Sequence, residues 1–235
     1  ADPVLCVPFV VAGVVVGLAD WIRLRDPLPA GTPVWTGETV SVQYSLFPSG
    51  TARATRELGA LVDLQLPYLL GGLALEAAVP LAVGTAGWVT INRGLDTDRS
   101  RASAGRYVGG LVAVSALLVL VPIRQFEVNS LPLGLLAFVV GSLVVVRVFL
   151  FPGLLATDNT VWTALRQSVR RSQGVRLALF WLALGLGITS WGLAKVPVVG
   201  GFLSTAVVGT VHAVGLAVLL SRLSPDDGRP ATGDA

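Results

Sequence analysis

Six apolar runs, at residues 4–22, 64–91, 107–123, 133–151, 175–193 and 202–220, constrain this chain more than any motif it carries. A bilayer crossing takes about 20 apolar residues, with a range of about 17 to 25, and every run reaches that length. In hydrocarbon each backbone N–H and C=O needs a partner inside the protein, so runs of this kind resolve as helices. The expected fold is therefore all-α, a polytopic transmembrane helical bundle of six spans forming one domain over residues 1–223. Residues 23–63 are expected to form a loop outside the membrane, and "SPDDGRPATGDA" (224–235) a disordered tail. The second run is long enough to tilt, and Pro80 within it marks an expected bend.

Composition supports a membrane solvent and removes several function classes. Only 13% of residues are charged, against about a quarter in a typical soluble domain. The net charge of +3 does not point to nucleic acid, because the arginines sit between apolar runs and form no basic tract interleaved with aromatics. Cys6 and His212 are the only residues of their types, so an intrachain disulfide and a Cys/His zinc site are both excluded. No nucleotide, metal or redox cofactor is implied.

Loop charges orient the bundle. Arg93, Arg99, Arg101 and Arg106 follow the second run, Arg166, Arg170 and Arg171 follow the fourth, and Arg222 and Arg229 lie in or beside the tail. The opposite side holds Arg124, Lys195 and a first loop whose Arg23, Arg25, Arg53 and Arg56 are balanced by Asp26, Glu38, Glu57 and Asp63. Positive charge collects on the cytoplasmic side, so both termini are expected there, in the cell membrane. The first loop contains an alternating stretch, "ETVSVQYSLF", that predicts a short strand, and "TARATRELGALVD" predicts a short helix.

The segment "FPGLLATDNTVWTALRQSVRRSQG" interrupts the apolar pattern. Pro152 is expected to end the fourth span, and Asp158, Asn159 or Thr160 to cap a new helix over 160–173. At about 100° per residue, Val161, Trp162, Ala164, Leu165, Ser168, Val169 and Ser172 share one arc. Arg166, Arg170 and Arg171 fall on the other, with Thr163, Gln167 and Gln173. This amphipathic helix is roughly 21 Å long, too short and too charged to cross, and is expected to lie in the cytoplasmic interface. Its three arginines are candidates for binding lipid headgroups or a partner protein.

This segment resembles a pattern of several six-span membrane families, in which a proline after a span precedes an "AL..S" helix and a further span. The membrane domain of glycerophosphoryl diester phosphodiesterases is similar in this respect. The whole chain, including "VSVQYSLFPSGTARATRELGALVDL", looks most like haloarchaeal integral membrane proteins of unknown function. The resemblance implies membrane architecture and no phosphodiesterase chemistry, which would need a soluble barrel with paired acid, base and metal-binding residues.

Two ionisable residues fall within runs: Glu76 in "LALEAAVP" and His212 in "VGTVHAVGL". Such groups are costly in hydrocarbon and are candidates for function; facing each other, they would form a proton relay. The alternative is a polar contact holding two helices together. Gly13 and Gly17 form a GxxxG pattern, and Gly209, Ala213 and Ala217 a small-residue stripe beside His212, both expected as helix-packing faces. Ser190 in "GITSWG" with His212 faintly resembles the catalytic pair of rhomboid-type proteases, but the flanking glycines are missing. The expected function is thus a non-enzymatic interaction or envelope-organising component, with the lipid bilayer and other membrane proteins or a second copy as partners. The alternative is a transporter or permease-like subunit moving a small solute or protons past Glu76 and His212.

Overall fold

The computed structural model describes residues 3–26, 28, 30–31, 45–56, 64–97, 100–120, 131–157 and 159–223. A 3-10 turn, Pro3–Cys6, leads into α1 (Val7–Arg25), followed by α2 (Leu66–Leu95), α3 (Arg101–Leu120) and α4 (Leu131–Val148). Then come α5 (Phe151–Ala156), α6 (Val161–Arg171), α7 (Arg176–Ala194) and α8 (Gly200–Leu203). A π-helical turn, Ser204–Gly209, joins α8 without a break to α9 (Thr210–Leu223). Among the described residues there is no strand, only an isolated antiparallel bridge between Gly31 and Thr55.

Five stretches are long and apolar enough to cross a membrane: Pro3–Arg25, Leu66–Leu95, Phe138–Ala156, Arg176–Ala194 and Gly200–Leu223. The run expected at 107–123 is helical as far as Leu120, but α3 is not among the five. It begins with Arg101, Ser103 and Arg106, and residues 121–123 lie outside the described residues. The outward surface of the bundle is apolar, with Val11, Leu136 and Leu177 more than half exposed. In water such a surface would be an aggregation site; in lipid it is the solvated face.

Small residues set the spacing of the central helices. A Cβ added at Gly13 would lie 2.9 Å from the carbonyl oxygen of Phe202, and Gly17 faces the same residue. Gly209 lies against the ring of Phe9, and Ala217 packs on Gly94, so the stripe on α9 contacts α1 and α2. Ala213 is fully buried. Association in lipid depends on close van der Waals contact, which is why glycine and alanine occupy these positions.

Several local expectations change. The fourth span does not stop at Pro152: the break falls at Phe149 and Leu150, and the proline sits in the first turn of α5, where its missing N–H has no helical partner to lose. All six residues of α5 are buried. The helix continues through Pro80 in α2. Thr160 is the residue that caps α6, its hydroxyl accepting from the Thr163 N–H at 3.3 Å; Asp158 lies outside the described residues. Ala164, Ser168 and Ser172 form the buried face of this helix, but Val161 and Trp162 are exposed, Trp162 by 72%. The strand expected over 38–47 is irregular where described, at 45–47, as is the helix expected over 51–63, at 51–56. The tail at 224–235 lies outside the described residues.

Part of residues 45–56 packs into the bundle, with Phe47, Pro48 and Ala54 buried, although the sequence places the stretch in an outer loop. Arg53 and Ala54 meet the end of α1, Gly50 and Thr51 meet the π-helical turn, and the Phe47 ring stands edge-on to Tyr107 of α3 and Phe151 of α5. Tyr107 in turn covers Gly87 of α2, while Glu76 of α2 lies at the Ala54 end. From Glu76 to Gly87 the helix rises roughly 16 Å. An extended chain from Phe47 to Arg53 covers up to about 20 Å, so the inserted segment accounts for that depth.

Candidate functional site

The polar groups at the mouth of this insertion come from three parts of the chain. Asp20 and Arg23 lie one turn apart at the end of α1, 3% and 4% exposed, and are carried inward by the apolar face on which Phe9, Ala12, Val16 and Ala19 are buried. Glu76 comes from α2, which packs against α1. The Arg23 guanidinium grips its carboxylate with two hydrogen bonds, Nε to Oε1 at 2.9 Å and Nη2 to Oε2 at 2.7 Å. This fork-on-carboxylate geometry is among the strongest side-chain pairings a protein makes.

The remaining donor of Arg23 and both oxygens of Asp20 hold the inserted backbone. Arg23 Nη1 donates to the Ala54 carbonyl at 3.2 Å and to Asp20 Oδ1 at 3.5 Å. Asp20 Oδ2 accepts from the Arg53 N–H at 2.9 Å, and Oδ1 from the Ala54 N–H at 3.2 Å. A buried carboxylate, Asp20, and a partly buried one, Glu76, thus face one guanidinium and two backbone amides. Past the end of α1, the covered side chain of Arg56 donates from Nη2 to Asp26 at 3.3 Å.

Deeper in, three hydroxyls form a chain. Thr51 Oγ1 and Ser190 Oγ are 2.8 Å apart, Ser190 and Ser204 Oγ 2.9 Å, and the Thr51 N–H donates to Ser204 Oγ at 2.8 Å. Ser204 also donates to the Ser190 carbonyl at 3.2 Å. Beside them Gly50 lies directly on the backbone of Ser204 and Thr205, where a Cβ would overlap main-chain atoms that no rotamer change can move. We expect Gly50→Ala to destabilise the fold by about 1 to 3 kcal/mol through overpacking, read as a lowered midpoint of thermal unfolding in detergent.

The sequence candidates separate in space. Glu76 faces Arg23, and His212 is 2% exposed on α9 with its ring 5.2 Å from that of Phe149. Both oxygens of Glu76 accept from Arg23, so the carboxylate faces α1. Of the serine–histidine pair, Ser190 shares its hydroxyl with Thr51 and Ser204. On α6, Arg166 and Arg170 are exposed and Arg171 is half-buried. No group of three or more metal-ligating side chains occurs among the described residues.

Compared with known proteins, the chain matches no family model, no curated protein and no solved structure. The site therefore stands on its own geometry. Asp20 and Arg23 are the residues that sequence reasoning passed over. A signal was present: an Asp and an Arg three apart close an apolar helix, and a carboxylate inside another span needs a cation. What the sequence lacked was any indication that residues 53 and 54 return to meet them.

Proposed function

We propose that this chain is a six-span, multi-pass integral membrane protein with both termini cytoplasmic, acting as a non-enzymatic interaction or envelope-organising component. In this reading α3 is the sixth span and α6 is an amphipathic helix in the cytoplasmic interface. Relationship to the haloarchaeal six-span membrane proteins belongs to the same proposal. The orientation is supported by charge: Arg93, Arg147, Arg176 and Arg222 are exposed at the end of the bundle that carries α6, where Asp96 is the described acidic residue.

One observation carries the functional reading. The carboxylates of Asp20 and Glu76 are taken up by protein contacts, with Arg23 and with the inserted backbone. A carboxylate held by two charge-assisted bonds from another helix is a brace between the two. An observation on the other side favours the permease-like alternative: the backbone N–H groups of Leu46, Phe47, Ser49 and Gly50 are hydrogen-bonded to no described residue. Non-helical backbone at membrane depth is tolerated where protein buries it or where it lines a water-filled cavity.

Thiol labelling separates the two. With Cys6 replaced by Ser, Ser49→Cys in sealed right-side-out vesicles is expected to resist a membrane-impermeant maleimide, while Thr55→Cys at the exposed mouth reacts. Reaction at 49 as fast as at 55 would show water passing the clamp and would hand the interior to the permease reading.

A further inference from the structure

The surface of α6 divides into three sectors that meet three different surroundings. Ala164, Ser168 and Ser172 are buried against the bundle, with Ser168 donating to the Arg147 carbonyl at the end of α4 at 2.8 Å. Next around the helix come Leu165 and Val169, half-buried, and then the exposed Trp162. Beyond Trp162 the exposed residues are Gln173, Arg166, Arg170 and Thr163. The bond to Arg147 fixes the helix beside the C-terminal end of α4, the end of the bundle at which Arg93, Arg176 and Arg222 are exposed. At that level the apolar flank meets acyl chains and the arginine sector meets headgroups.

A shallow depression runs along the border of those two sectors, lined by Trp162, Arg166, Val169, Arg170 and Gln173 among others. It combines an indole and a valine on one side with two guanidinium groups on the other. Among the described residues neither Arg166 nor Arg170 has an ion-pair partner. Capping and burial hold the helix itself, so the arginines are not needed to keep it folded.

We propose that this depression binds one anionic phospholipid of the cytoplasmic leaflet. Its phosphodiester lies between Arg166 and Arg170, and its glycerol and upper acyl chain lie against Trp162 and Val169. A phosphate oxygen pair matches the planar donors of arginine, and a lipid, unlike a free phosphate, also covers the indole. The proposal rests on the membrane reading above, and its test does not depend on whether the interior is dry.

The test is native mass spectrometry of the protein released from mixed micelles of phosphatidylglycerol and phosphatidylcholine. The unaltered chain should retain one phosphatidylglycerol in preference to phosphatidylcholine. Arg166→Gln with Arg170→Gln should weaken that retention about tenfold, since each cation near an anionic surface contributes appreciably. Arg93→Gln with Arg222→Gln, which removes the same charge at the same end of the bundle, should change it little. Trypsin resistance after Arg53 in each preparation establishes that the variant is folded. Equal loss in both double variants would reduce the effect to diffuse charge and overturn the site. Retention of phosphatidylcholine as readily as phosphatidylglycerol, or displacement of the lipid by inorganic phosphate, would overturn it as well.

Discussion

Arg23→Ala is expected to destabilise the folded chain by about 3 to 5 kcal/mol and to expose the bond after Arg53 to trypsin added to right-side-out vesicles. Removing one partner of a buried pair leaves the other charge uncompensated, and here one cation serves two carboxylates and the Ala54 carbonyl. Glu76 is 27% exposed on its side chain, so water offsets part of the loss on that side, whereas Asp20 has no such relief at 4%. Once Asp20 no longer holds the Arg53 and Ala54 amides, that stretch of backbone can leave the bundle and meet a protease. Arg23→Lys should fall between the two, because an ammonium keeps the charge but loses the fork that spans both oxygens of Glu76. Glu76→Gln should cost less than Arg23→Ala, and adding it to Arg23→Ala should cost little more, since the pair is already broken. Unchanged trypsin resistance in Arg23→Ala would show that the inserted segment is held by its apolar contacts alone.

Phe47→Ala is expected to destabilise by about 3 kcal/mol, the lower end of the range for a buried phenylalanine. The ring is 3% exposed and makes two edge-on aromatic contacts, with centroids 5.3 Å from Tyr107 and 6.1 Å from Phe151. Its deletion leaves a cavity among α3, α5 and the inserted chain. The cost falls at this lower end because an aromatic side chain released at a membrane interface keeps part of its apolar surface covered. Protease susceptibility after Arg53 should rise here too, though less than in Arg23→Ala, because the clamp at the mouth is intact. Leu46 provides the control: it is only partly buried beside the same core, and its truncation should cost less.

These two variants test opposite ends of one element, which explains what could and could not be read in advance. Run length and hydropathy are local properties, so the helices at 4–22, 64–91, 175–193 and 202–220 were legible within a few residues. The capped helix at 160–173 was legible for the same reason: a threonine cap and a 3.6-residue alternation act between neighbours in the chain. The small residues at 13, 17, 209, 213 and 217 were recognisable because lipid-embedded helices approach closely only where side chains are small. A wheel separates apolar from polar without saying which part of the apolar arc packs on protein: Ala164 and Ser168 do, while Trp162 is exposed.

The inserted segment was beyond reach for a different reason. "SLFPSGTARATR" is polar and turn-rich, and such composition alone suits a surface loop. Only the fold supplies Asp20 for two of its amides, Arg23 for a carbonyl, Ser204 for a third amide and an aromatic pocket for Phe47. The same holds for Glu76, whose partner lies 53 positions earlier in the chain.

By itself, then, the sequence determined that this chain is a helical protein with several helices long and apolar enough to cross a membrane, a capped helix near 160–173 and a carboxylate in need of a cation, because helix formation and apolarity depend on residues close together in the chain. The tertiary structure alone decided which cation answers that carboxylate and that a loop is drawn inside to complete the cluster. Buried charges and unpaired amides must be satisfied wherever in the chain a partner exists, and that choice is made by the packing of distant elements.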